Sequence, residues 1–227
     1  MARAQRLFYS RFVQRGDLVF DVGASFGARV ATFLALGARV VAVEPQAACQ
    51  DALRRRFARS KRFALVGSAL GPAPGQAELR ATAPGSTIAT MSTDWLERVR
   101  DSGRFGGADW SLAETVEVQT LDALIAEFGA PVFCKIDVEG YEHEVLLGLT
   151  APIAALSLEF TPEHMEATRK CVARLQSLGA YRFNYSLDES FLLALDEWVP
   201  GEQLLEALAA HADDRVVFGD VYAQLSG

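Results

Sequence analysis

"DLVFDVGASFGARVATFLALGARVVAVEP", residues 17–45, joins an apolar run, a turn with two glycines, an amphipathic stretch and a second β-branched run closed by Pro45. Val30, Phe33 and Leu34 share one face at helical spacing, and Gly37 suits a helix C-terminus. The order therefore reads strand, turn, helix, strand. Two strands joined through a helix lie parallel, because a hairpin cannot contain the crossover.

The alternation continues outward. Leu7, Phe8, Phe12 and Val13 predict a lead-in helix within residues 1–16. A helix over about 47–59 precedes "RFALVGSALG" (62–71), a third strand, and "GQAELRAT" (75–82), a strand or hairpin arm. Residues 83–114 are rich in Gly, Ser, Thr and Asp and weakly periodic apart from a short helical stretch at 95–99, which predicts a mobile substrate-side insertion. "TVEVQTLDALIAEFG" (115–129) then gives a strand and a helix, "PVFCKID" (131–137) a strand, and residues 140–149 a helix. "IAALSLEF" (153–160) is a strand, and Thr161 with Pro162 opens a helix ending at Gly179. "YRFNYS" (181–186), "FLLAL" (191–195) and "VVFGDVYAQL" (216–225) are strand-like and suit antiparallel pairing at one edge. With no repeat or linker, the expectation is one domain over residues 1–227, an α/β fold with a doubly wound, mainly parallel sheet and an antiparallel edge.

Half of the 227 residues are hydrophobic, enough for a core without staples. The net charge of −7 argues against a nucleic-acid surface. The basic run from Arg54 to Arg62 reads as a solvated helix end. Cys49, Cys134 and Cys171 form no CxxC pair, so neither a disulfide framework nor a zinc site is expected. Without a signal-like segment or a long apolar run, a cytoplasmic protein that does not enter membranes is expected.

The turn Asp21-Val22-Gly23-Ala24-Ser25-Phe26-Gly27 lacks the closely spaced glycine pair that admits a pyrophosphate. Glu44, about 20 residues on, ends the next strand where an acid can bond both ribose hydroxyls. A nucleoside without pyrophosphate fits this combination, and S-adenosylmethionine is one. Its cationic groups suit the acidic turn, and its carboxylate suits the N–H groups of the helix start. Separately, the glycines could serve only the turn, Asp21 an Asx-type bond and Glu44 a helix cap. The third strand leads to Ser68, Ala69 and Leu70, where an adenine would lie.

"VFCKIDVEGYEHEVLLG" (132–148) places Asp137 and Glu139 between a strand and a helix. They either cap the helix start or face a crevice at the strand's carboxyl end. With "VFDVGASFG", "VVAVEP", "GSALG", "GQAEL", "VQTLDALI", "LSLEF" and "GDVYAQL" in the same order, this block resembles the FkbM-type S-adenosylmethionine-dependent methyltransferases over residues 18–225. The resemblance implies a Rossmann-like class I methyltransferase sheet. It also implies cofactor contacts at Asp21, Gly23, Ser25, Gly27 and Glu44, and adenine near Ser68 and Ala69. Ser25 stands where the family usually carries Asn.

Methyl transfer needs an aligned acceptor and, for an alcohol, a base. Glu139 is the leading candidate base, Asp137 an orienter of cofactor or acceptor, and Glu159 a residue that positions the acceptor. His164 is the histidine nearest the crevice, with a surface position on its helix favoured; His143 and His211 read as solvated. Lys135, inside an apolar strand, would neutralise one acid. A divalent cation between Asp137 and Glu159 is conceivable, though none is expected. The expected activity is O-methylation of a small molecule, a sugar or secondary metabolite. The alternatives are a nicotinamide-dependent oxidoreductase, which the missing glycine pair disfavours, and a catalytically silent nucleoside-binding module.

Overall fold

The structure, a computed structural model, describes residues 2–212, 214 and 217–226. The chain runs α1 (Ala2–Tyr9), β1 (Leu18–Val22), α2 (Ala28–Leu36), β2 (Arg39–Val43), α3 (Ala47–Phe57), β3 (Phe63–Val66), β4 (Ala69–Leu70) and β5 (Gly75–Ala81). It continues through α4 (Thr93–Ser102), β6 (Leu112–Gln119), α5 (Leu121–Phe128), β7 (Phe133–Ile136), α6 (Glu142–Leu147) and β8 (Ala155–Phe160). A 3-10 turn at Pro162–His164 leads into α7 (Met165–Leu178), followed by β9 (Tyr181–Leu187), α8 (Gly201–Ala209) and β10 (Gly219–Leu225).

Seven strands form one sheet in the order β3-β2-β1-β7-β8-β10-β9. The pairs from β3 to β8 are parallel, and β10 runs antiparallel between β8 and β9. Every residue of β1 and β7 is buried, so these strands read as unbroken apolar runs interrupted only by Asp21 and Lys135. One face packs Leu18, Phe20, Leu146, Leu156 and Leu175 into a core. The other packs Tyr9, Val19, Phe33 and Phe133; α1 brings Tyr9 to this face and ends at residue 9, well short of the expected 16. Gly37, at φ 94°, ends α2 with its N–H on Leu34.

Four expectations change. "RFALVGSALG" is two strands, because the chain breaks at Gly67–Ser68; β3 joins the large sheet while β4 joins β6 and β5 in a small second sheet. "FLLAL" is no strand. The Asn184 side chain occupies the backbone of Leu195 and Glu197 in place of a ladder. Residues 201–209, which carry Leu204 and Leu208 one turn apart and buried, form α8, a helix that the sequence reading omitted. Thr161 makes no side-chain cap, and the helix begins as a 3-10 turn. Of the expected strand 216–225, Val216 lies outside the described residues, as do residues 1, 213, 215 and 227 of the expected domain.

Residues 83–114 connect β5 to β6 and carry their own aromatic core. Trp95, Leu96, Val99 and Trp110 are buried together, with Trp95 edge-on to Trp110. This anchors the segment more firmly than its composition suggests, since the aromatic spacing follows no regular period.

At the far edge the buried Tyr181 hydroxyl donates to the Ile153 carbonyl at 2.6 Å and accepts its N–H at 2.9 Å. Tyr181→Phe strands both backbone groups and should cost about 1–3 kcal/mol in urea unfolding, with cofactor affinity unchanged.

Candidate active site

The strand order reverses at β1 and β7, and the crevice opens at the carboxyl ends of these strands, as open α/β sheets dictate. Register pairs Val22 with Ile136, so Gly23 emerges beside Asp137. A Cβ on Gly23 would lie 1.8 Å from the Asp137 carbonyl oxygen, and its φ is 78°; only glycine fits. The N–H groups of Gly23 and Ala24 both reach the Val43 carbonyl, which draws the turn across to β2. Ser25, left-handed at φ 47°, donates its N–H to Glu44 Oε2 at 2.8 Å, while Gln46 donates its N–H to Oε1 at 2.8 Å. Glu44 thus holds the entry to α3 and still faces the crevice. It is 3 % exposed, and burial raises its pKa against the two N–H bonds.

Two cavities meet here. The smaller is lined by Val43, Glu44, Ser68, Ala69, Leu70 and Met91. The larger is lined by Asp21, Arg29, Phe105, Glu159, Phe218 and Asp220 among others. Gly23, Ser25, Thr87, Asp137 and Glu139 line both, so the cavities form one continuous trough. Gly27 lines neither. Its Cβ position faces Phe57 and Leu53 at 2.5 and 2.7 Å, so it keeps the turn close to α3.

At the junction Lys135, 2 % exposed, donates to Asp137 at 2.8 Å and to Asp220 at 3.3 Å. Neutralisation by Lys135 is as expected for Asp137. Asp220 went unnoticed, since it approaches from β10, 85 residues away. Burial acts to raise the pKa of Asp137, but the charge and hydrogen bond of Lys135 overcome it and hold the carboxyl below its ordinary range. Glu139 and Glu159 are pushed well above theirs, by burial first and then by the neighbouring carboxylates. Oxygens of Asp137, Glu139 and Glu159 all lie within 4.8 Å of one another, a grouping a metal ion could bridge. Asp21, 1 % exposed, is raised to about 6 by burial.

Glu139 does not cap the helix. Nor does any other side chain; Glu142, the first residue of α6, instead braces the preceding loop, with Oε1 accepting the N–H groups of Val138 and Gly140 at 3.0 and 3.2 Å. Glu139 is left-handed at φ 53° and Gly140 follows at φ 84°. Thr90, from the 83–114 segment, holds this turn through a 2.6 Å bond to the Glu139 carbonyl, and Trp95 fills the space a side chain on Gly140 would need. His164 is buried, not on the surface; its Nε2 pairs with Asp94 of α4 at 2.9 Å, which ties the insertion to the sheet. His143 contacts Glu144, and His211 contacts the Tyr185 hydroxyl.

Strand order and a trough at the reversal point define a Rossmann-like class I methyltransferase fold. The sequence pattern of the Methyltransferase FkbM domain matches residues 21–186, and the chain belongs to that family. Its activity is methyl transfer, and its cofactor is S-adenosylmethionine. No curated protein sequence matches the chain. Among solved structures, precorrin-6Y C5,15-methyltransferase from Geobacter metallireducens GS-15 superposes with a TM-score of 0.51 at 12 % identity, over 98 % of this chain and 87 % of that one. Precorrin-8w decarboxylase from Methanobacterium thermoautotrophicum gives 0.49 at 11 %, over 98 % and 90 %. SMU.1697c from Streptococcus mutans, in complex with SAH, gives 0.48 at 10 %, over 98 % and 97 %. Among the described residues, no helix is long and apolar enough to cross a membrane.

Lys135→Met strands buried carboxylates and should cost about 3–5 kcal/mol at neutral pH. The deficit should shrink as pH falls and the stranded Asp137 protonates, which chemical denaturation at several pH values will measure.

Glu142 gives a separate pH signature. Burial raises its pKa to about 7, so its contribution is complete below the ordinary carboxylate range and is lost as pH rises through 7. Stability should therefore decline from about pH 5 to about pH 8, and Glu142→Gln should flatten that decline.

Proposed function

We propose that the protein methylates a hydroxyl of a small molecule, a sugar or secondary metabolite, with Glu139 as the general base. The observation that carries this is the junction of the two cavities, where Asp137 and Glu139 belong to both linings. Adenosine fits the smaller cavity, with the ribose diol on Glu44 and adenine beside Ser68 and Ala69. A carboxylate offers about four acceptor sites, so two backbone N–H bonds leave Glu44 room for a diol. The methionine end then passes Gly23 and Ser25 toward Asp21, whose buried Oδ2 has no partner and suits an ammonium group. Gly27 supports the turn from behind.

The bound cofactor supplies a methyl group activated by its sulfonium. Everything else falls to the chain. Asp137, kept ionised by Lys135, faces the reacting centre from the floor of the trough and orients cofactor and acceptor. Glu159, one strand over, holds the acceptor. Glu139 takes the proton from the attacking oxygen. A carboxyl with a raised proton affinity is a stronger base once ionised, and this matches an alcohol better than an ordinary surface carboxylate would.

The lining of the larger cavity supports a small, uncharged or cationic acceptor over a nucleic acid. Seven carboxyl groups line it against three cations, Arg29, Arg104 and Lys135, and this surplus disfavours phosphate. The exposed rings of Phe26 and Phe218 offer apolar faces for a sugar or ring system. Three buried, unpaired cysteines accord with a cytoplasmic location.

A product-mass screen of hydroxylated acceptors with labelled methyl donor tests the acceptor class; labelling of amines alone would refute O-methylation. Glu139→Gln should lower turnover by about 10²–10⁴ with S-adenosylhomocysteine affinity unchanged. In the unmodified enzyme the acid limb of the rate profile should lie above the ordinary carboxylate range, because Glu139 acts only once ionised. Near-native turnover of a folded Glu139→Gln protein would exclude it as the base. Glu44→Ala should weaken S-adenosylhomocysteine by at least about tenfold in calorimetry, through loss of hydrogen bonds to a charged acceptor.

A further inference from the structure

Among the described residues, four fully buried side-chain atoms lack a hydrogen-bond partner: Tyr9 Oη, Asp21 Oδ2, Arg29 Nε and Ser157 Oγ. Two of these belong to groups of opposite charge, and both residues line the larger cavity. An unpaired buried polar group is costly and calls for a reason. Asp21 lies just before the turn and Arg29 just after it, in the first turn of α2, so the two flank the passage through Gly23 and Ser25.

Their present partners leave one polar atom of each unused. Asp21 leaves its Oδ2 without a donor. Arg29 places Nη2 3.0 Å from Glu189 and packs its guanidinium 5.2 Å from the centre of the Phe191 ring. Its Nε–H is unused. A ligand group carrying an ammonium and a carboxylate on one carbon satisfies both charges together.

We infer that Arg29 is a cofactor-binding residue: its guanidinium receives the α-carboxylate of the methionine moiety while Asp21 receives the α-ammonium. This rests on the placement of adenosine between Glu44 and Ala69 proposed above. The fork geometry of arginine suits a carboxylate, and a rotation of the Arg29 side chain within the open trough brings Nε and Nη to it. Glu189 holds the guanidinium in place until then.

Calorimetry on the full chain with three probes tests this: S-adenosylhomocysteine, its decarboxylated analogue, and 5′-methylthioadenosine, which lacks the amino-acid end. The unmutated protein should bind S-adenosylhomocysteine at least about tenfold tighter than the decarboxylated analogue, as befits a charge-assisted bond. Arg29→Gln should bring the two within about twofold and leave 5′-methylthioadenosine unchanged. An undiminished preference in Arg29→Gln, or equal weakening of all three probes, would overturn the assignment. Should Arg29→Gln not fold, the unmutated protein decides, since equal affinity for the first two probes also overturns it. Binding of 5′-methylthioadenosine with indifference to the carboxylate removes only Arg29; no binding of any probe removes the adenosine pocket as well.

Discussion

The close approach of Gly23 to Asp137 is the constraint on which the site depends. A backbone carbonyl occupies the space that any Cβ on residue 23 would need. That contact is what brings the turn after β1 against the loop after β7, so that residues over a hundred positions apart line one trough. The bonds from Gly23 and Ala24 to Val43 and from Ser25 to Glu44 then tie in the end of β2. Three strand ends become one surface, and the sheet's order reversal leaves the room above them.

The charge arrangement depends on a second constraint, the burial of Lys135. An ammonium in the interior of a strand is costly unless paired. Here it is shared by Asp137 and Asp220, and it keeps Asp137 ionised in a place where two other carboxyls, Glu139 and Glu159, compete for protons. Glu139 and Glu159 therefore take up protons more readily than Asp137 does. One cation separates one charged carboxyl from two that hold protons, and so divides three chemically similar groups into different roles.

The insertion between β5 and β6 contributes more than a wall. Thr90 and Trp95 hold Glu139 and Gly140 in left-handed conformations that a free loop would seldom adopt, and His164 with Asp94 ties the same segment to the far side of the site. The orientation of the candidate base is thus set by a segment whose composition resembles that of a flexible loop.

The sequence by itself determined the alternation of strands and helices, the glycine turn, the acid at the end of β2 and the candidate acids at the ends of β7 and β8. Each is written in a local pattern: period, cap, β-branched run or turn residue. It also marked Lys135 as anomalous. It did not separate β3 from β4, because a broken strand and a continuous one share one apolar composition. Only the tertiary structure decided that Glu142 braces the loop after β7 and Glu139 faces the trough, since both carboxylates stand within reach of the same turn and the choice is made by Thr90 and Trp95 from outside. The same holds for Asp220, Arg29 and Gly27. Their surroundings come from β10, from the loop after β9 and from α3, and no local spacing records which distant side chain will arrive beside them.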